Sequence, residues 1–190
     1  MRWKFKQSPL IKEIELHNTA VIVRVNKFDE DSAKEFSNKV AMAHNTGQTV
    51  IPVVIDSYGG QVLSMISAIK HAELPIATII EGKAMSCGAL LFSFGEEGLR
   101  FMDPDATVMI HDVASGQHGK VEEVKASAAE SERLNQKVYT MMARNCGKKV
   151  HEKGHADWFL DANECKKIGL ANQLRVPTLN ISIDVNIDLE

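Results

Sequence analysis

At 190 residues the chain suits one domain with a sizeable core, and its 44% apolar and 25% charged content excludes a disordered protein. A net charge of −3 leaves no basic footprint for nucleic acid, and no apolar stretch is long enough to cross a bilayer. Cys87, Cys146 and Cys165 lack paired spacing, and the basic start (Arg2, Lys4, Lys6) lacks the apolar run of a signal peptide, so a cytoplasmic location is expected.

In chain order, Lys12 to Leu16 and Ala20 to Val25 (AVIVRV) predict strands separated by a turn at Asn18. Asp29 to Ala43 predicts a helix with Ala33, Phe36, Val40 and Ala43 on one face, ended by Asn45 and Gly47. Thr49 to Asp56 (TVIPVVID) predicts a buried strand, Ser57-Tyr58-Gly59-Gly60 a turn, and Val62, Met65, Ile66 and Ile69 a helix. Leu74 to Phe94 (LPIATIIEGKAMSCGALLFSF) repeats this plan. Its strand Ile76 to Ile80 gives way to the small residues Gly82, Ala84, Ser86, Gly88 and Ala89, then to a buried helix at Leu90, Leu91 and Phe92. Strands alternating with helices predict an α/β fold with a parallel sheet, whose sites form beyond the carboxyl ends of the strands. Both glycine-bearing turns then share one edge. Ser86 would stand at a helix N-terminus, where free N–H groups favour an oxyanion. The same small residues also suit a helix packing seam with a satisfied serine, and a double glycine is by itself an ordinary tight turn.

Phe101 and Thr107 to Ile110 predict short strands around Asp103-Pro104-Asp105, with His111 directly after the second. Gly116 to Gly119 predicts a polar loop exposing His118, and Val121 to Cys146 one long helix ended by Gly147. His151-Glu152-Lys153-Gly154-His155 matches the zinc-peptidase pattern H-E-x-x-H. Gly154 weakens the helix this chemistry needs, and Glu164 is the available third ligand without a persuasive spacing, so no metal is expected. Asp157 precedes Trp158-Phe159-Leu160, and Asp161 with Glu164 forms a capping box for a helix closed by Gly169. Leu174 to Val176 predicts a strand. The tail from Leu179 to Leu189 alternates apolar and polar residues and predicts a further strand with one wet face. No repeat, low-complexity segment or linker divides residues 1–190, so a single domain is expected.

A serine needs a base to act as nucleophile near neutral pH, and the base an orienting carboxylate. Ser86, His111 and Asp157 supply these in chain order, with the N–H of Cys87 and that of Gly59 or Gly60 for an oxyanion. Asp112 is the nearest competing acid, but in an extended strand it would point away from His111. A rival set, in the order of α/β-hydrolases, is Ser86, Asp103 and His155; it lacks the first glycine of that nucleophile turn.

These residues resemble the ClpP-type serine peptidases. Gly82-Lys83-Ala84-Met85-Ser86-Cys87-Gly88-Ala89 is similar to their G-x-A-x-S-x-G-A segment, and Val108-Met109-Ile110-His111 to V-M-I-H. Asp157-Trp158-Phe159-Leu160 with Ala162, Glu164 and Ile168-Gly169-Leu170 is similar to D-x-F-L-x-A-x-E-A-x-x-x-G-L, and Ser57-Tyr58-Gly59-Gly60 to S-P-G-G. Tyr58 replaces the proline, and Asp112-Val113 replace Gln-Pro. The resemblance implies a crotonase-like fold of repeated ββα units, with residues 121–146 as a handle helix; the alternating tail, 178–189, is an extra strand that departs from the family pattern. It further implies a cofactor-free endopeptidase acting on unfolded chains inside a homo-oligomeric chamber of one ring or stacked rings, heptameric by the family pattern, fed by an unfoldase ATPase. Phage capsid-maturation (prohead) proteases share this fold and give an alternative. A crotonase-type acyl-CoA enzyme or a non-catalytic ring subunit would use the same sheet without the Ser-His-Asp set.

Overall fold

The computed structural model of the chain describes residues 19–147 and 157–178. The strand expected at 12–16, His151 and His155 of the H-E-x-x-H pattern, and the alternating tail from Leu179 lie outside the described residues.

Strand β1 (Val23–Val25) buries its two valines and leaves Arg24 outside. Helix α1 (Glu30–Ala43) starts where Asp29 accepts a 2.8 Å hydrogen bond from the Ser32 N–H. The bonds from Ser32 hold the Asp29 carboxyl below its ordinary pKa. The acidic Glu30 and Asp31 suit the positive end of the helix, and Ala33, Phe36, Val40 and Ala43 form its buried stripe as the spacing predicts. Strand β2 (Ile51–Ser57) is buried along nearly its whole length, as a central parallel strand must be. Helix α2 (Leu63–Lys70) buries Met65, Ile66 and Ile69.

Strand β3 (Ile76–Met85) runs five residues past the expected end at Ile80. Between the pairs Ile55–Ile80 and Ser57–Ala84, one residue of β2 faces three of β3. This bulge re-aims the strand. Gly82 leaves room there for Asp56, which pairs with Lys83 at 2.9 Å. The exposed Glu81 and Gly82 broke the apolar pattern without ending the strand. The bend lets β3 serve two partners in succession. Residues 78–80 pair with β4 (Arg100–Met102), and residues 83–85 pair with β5 (Thr107–Ile110). After β3, helix α3 (Cys87–Phe92) buries Gly88 through Phe92, and the long helix α4 (Val121–Cys146) has the predicted bounds. Strand β6 (Trp158–Leu160) leads into α5 (Ala162–Lys167), opened by the reciprocal Asp161–Glu164 capping box.

Among the described residues the sheet has the order β1-β2-β3-β5-β6, with β4 also against β3; all pairs are parallel except β5 with β6. Val53, Ile55, Ile80 and Val108 pack on one face with Phe36, Met65, Leu90 and Phe92 from the helices. Burying side chains of this size contributes roughly 1.5–3 kcal/mol each. Val54, Ala77, Ile79 and Phe101 form a second cluster, separate from the first. Burial pushes the Cys146 thiol up to about 11 and the Cys165 thiol up to about 12, so both stay protonated and unreactive near neutral pH.

The strand expected at Leu174 to Val176 does not form. Gln173 makes a single bridge to Phe101, and β4 is stopped after Met102 by the Asp103-Pro104 turn, leaving residues 174–176 without a strand partner among the described residues. The chain just before this stretch is held by Arg100, only 3% exposed. Its guanidinium donates to the carbonyls of Gly95, Gly169 and Leu170 and pairs with Glu97 at 2.8 Å. Such bonds offset the cost of burying a cation.

Candidate active site

The parallel order of β2, β3 and β5 brings their carboxyl ends together, and the predicted residues gather there. Ser86 is the N-cap of α3 with φ 54° and ψ −117°, the one non-glycine residue with positive φ among those described. Such a conformation costs of order 1–3 kcal/mol and persists only when its surroundings enforce it. They do so from two sides. The Ser86 N–H donates to the Met109 carbonyl of β5 at 2.8 Å, and the Ser86 carbonyl accepts from Leu90 N–H at 3.2 Å. The sharp turn presents the hydroxyl beyond the sheet edge, where His111 follows β5. His111 Nε2 lies 2.7 Å from Ser86 Oγ.

The turn after β2 stands beside this pair, as the shared sheet edge requires. Gly59 has φ 108°, and a Cβ there would come 2.7 Å from Ser86 Cβ and 3.0 Å from the Met85 carbonyl oxygen. Only glycine allows so close an approach. The Gly59 N–H is directed to Ser57 Oγ at 3.3 Å. Gly60 lines the cleft with Cys87, and the Cys87 thiol donates to the Gly60 carbonyl at 2.7 Å. Burial raises the pKa of that thiol, which keeps it the donor. Among the described residues no hydrogen bond is found to the Gly60 N–H, and the N–H of Cys87, first in its helix, has no intrahelical partner.

Asp157 is the member not brought into contact. It is exposed, and among the described residues no hydrogen bond joins it to His111. The β5–β6 ladder pairs Ile110 with Trp158, so one further step of the same register sets Asp157 opposite His111. In the rival set, Asp103 accepts from the Asp105 N–H in the turn after β4, and His155 lies outside the described residues. Glu164, the third ligand open to a zinc site, uses its carboxylate to accept from the Asp161 N–H at 2.9 Å.

The cleft holds about 450 Å³. Ser86, His111, Gly60 and Cys87 line it with Tyr58, Leu90, Met109 and Val113, and α4 adds Val138 and Met142. Asp112 lines it too. Regular strand ends at Ile110. Asp112 accepts a 2.6 Å hydrogen bond from the Tyr139 hydroxyl on α4. Neither Tyr139 nor the α4 wall was singled out from sequence as part of a site. The signal available was a polar stripe at Ser131, Asn135 and Tyr139, next to apolar positions at the same spacing.

The family model for the Clp protease matches residues 10–177. Over 134 residues the chain is 34% identical to the ATP-dependent Clp protease proteolytic subunit 1 of Rhodopirellula baltica. That alignment covers 67% of this chain and 59% of the relative's length. With its mixed α/β fold and a family match over most of its length, the chain belongs to the Clp protease family.

Proposed function

We propose that this protein is a serine endopeptidase of Clp type, and the 2.7 Å contact between Ser86 Oγ and His111 Nε2 carries that reading. Ser86 Oγ attacks the scissile carbonyl while His111 takes its proton. The N–H groups of Cys87 and Gly60 receive the oxyanion, and the close approach of Gly59 holds the two turns together. His111 then protonates the leaving amine and activates the water that releases the acyl group. Asp157 accepts from the other imidazole nitrogen and keeps His111 in the required tautomer. No metal or cofactor takes part. A crotonase-type acyl-CoA enzyme would leave the Ser86–His111 contact without a use.

The largely apolar cleft suits an extended, unfolded peptide. A homo-oligomeric ring and an unfoldase partner complete the proposal. Exposed Val121 and Val124 of α4 and Phe159 of β6 (68%, 40% and 60% exposed) are surfaces a neighbouring subunit would cover. Among the described residues no helix is long and apolar enough to cross a membrane, and the proposed site of action is the cytoplasm.

A fluorophosphonate should label the protein once, at Ser86, and His111→Ala should abolish labelling. Labelling elsewhere, or none, would remove the nucleophile assignment. Gly59→Ala supplies an independent check on the turn. The new Cβ must displace Ser86 or the Met85 carbonyl, so kcat/KM for a peptide should fall about 100-fold or more, the scale of an ångström-level misplacement. A folded Gly59→Ala protein with wild-type turnover would show that this turn is not part of the site.

A further inference from the structure

The segment that leaves His111 has no regular structure, yet it is held at three points along α4. The Tyr139 hydroxyl donates to Asp112 Oδ1 at 2.6 Å. Asn135 Oδ1 accepts from the Val113 N–H at 3.1 Å. The Ser115 and Ser131 hydroxyls meet at 2.7 Å, and because Ser131 donates to the Ser127 carbonyl it accepts from Ser115. Positions 131, 135 and 139 recur every four residues, so the three contacts form one stripe of the helix. The rungs differ in rigidity. Helix α4 is anchored at its far end, where Met141, Met142 and Cys146 are buried and Asn145 donates to Ser93 Oγ. Ser131 stands nearly three turns from Met141, whereas Tyr139 is beside the anchor. The Tyr139 rung is also nearest in the chain to His111.

Resting on the Ser86–His111 reading above, we propose that Tyr139 is a positioning residue. Through its hydrogen bond to Asp112 it fixes the backbone that leaves His111, and so the distance of the imidazole from Ser86. Three observations support this. The bond is short and ties the segment to α4 at the rung nearest His111. Desolvation, then the bond to Asp112, raises the Tyr139 pKa, so the phenol remains the donor across the working pH range. Asp112 and His111 are neighbours at the same cleft, so the bond from Tyr139 acts directly beside the base. Asp112 is then an acceptor for α4 and not the acid of the catalytic set.

The test uses the full-length protein and two readouts, acylation of Ser86 by a small fluorophosphonate and steady-state hydrolysis of a peptide. Tyr139→Phe keeps the ring and removes the donor. Acylation rate and kcat should both fall about ten- to 100-fold, with KM within about twofold, because geometry at the base is altered and peptide binding is not. Asp112→Ala should behave similarly. Asp112→Asn retains an oxygen that accepts from Tyr139 but carries no charge, and should recover about tenfold over Asp112→Ala. Unchanged acylation in Tyr139→Phe would overturn the proposal, as would a rise in KM with kcat preserved. Equal losses in Asp112→Asn and Asp112→Ala would also overturn it, since charge and not the hydrogen bond would then matter. If Tyr139→Phe fails to fold, the two Asp112 variants decide the matter alone. Failure of the underlying reading looks different, because the wild-type protein would itself resist the probe.

Discussion

Ser86→Ala is expected to remove peptide hydrolysis almost completely, by about 10⁶-fold in kcat, the scale reached when a serine nucleophile is deleted. His111 would keep its place but have no hydroxyl to deprotonate. Folding and assembly should survive, because the change removes one oxygen at the cleft surface and no core contact. The strain at this residue offers a second measurement. Alanine still carries a Cβ at φ 54°, whereas glycine adopts that conformation freely. Ser86→Gly should therefore be more stable than Ser86→Ala by about 1 kcal/mol, the strain released less the backbone entropy of glycine. Full activity in Ser86→Ala would end the nucleophile assignment. Equal melting temperatures would show that the turn is not strained as its dihedral angles imply.

Asp157→Asn is expected to lower kcat about 10⁴-fold with little change in KM, as when a triad carboxylate is replaced by an amide that favours the wrong tautomer. For Nε2 of His111 to accept the Ser86 proton, Nδ1 must carry a hydrogen and needs an acceptor. The antiparallel register of β5 and β6 nominates Asp157, since directly opposed residues in such a pair project to the same face. Catalytic hydrogen bonds are often long before substrate binds, so the missing contact between Asp157 and His111 does not exclude the pairing. Asp157 is exposed, and the amide should cost little stability. The Asp157 and Asp112 asparagine variants together separate two roles for carboxylates near one histidine. The first should lose most of its turnover, and the second should be better than its alanine counterpart. An Asp157→Asn protein with wild-type kcat would mean that Ser86 and His111 work as a pair without this acid.

Some features of the protein were determined by the sequence alone because they depend on neighbours in the chain. The apolar spacing of α1 and α4 and the Asp161–Glu164 box are local bonds and spacings, and they place α1, α4 and α5 to within a residue. Strand, small-residue turn and buried helix put Ser86 at the start of α3 for the same reason, and four ordered motifs pointed to the family. The tertiary structure decided what depends on partners distant in the chain. Pairing with β5 carries β3 through the bulge to Met85, where periodicity indicated an end at Ile80. Segment 174–176 has strand-like residues but pairs with no strand among the described residues, because β4 is too short to receive it. The positive φ of Ser86 is imposed by its bond to Met109 and by the Gly59 turn pressed against it. Burial of Arg100 and the bond between Tyr139 and Asp112 join residues that local patterns treat as solvent-facing. Hydrophobic period and capping are properties of a segment, whereas strand pairing, strain and buried polar contacts exist only once segments meet.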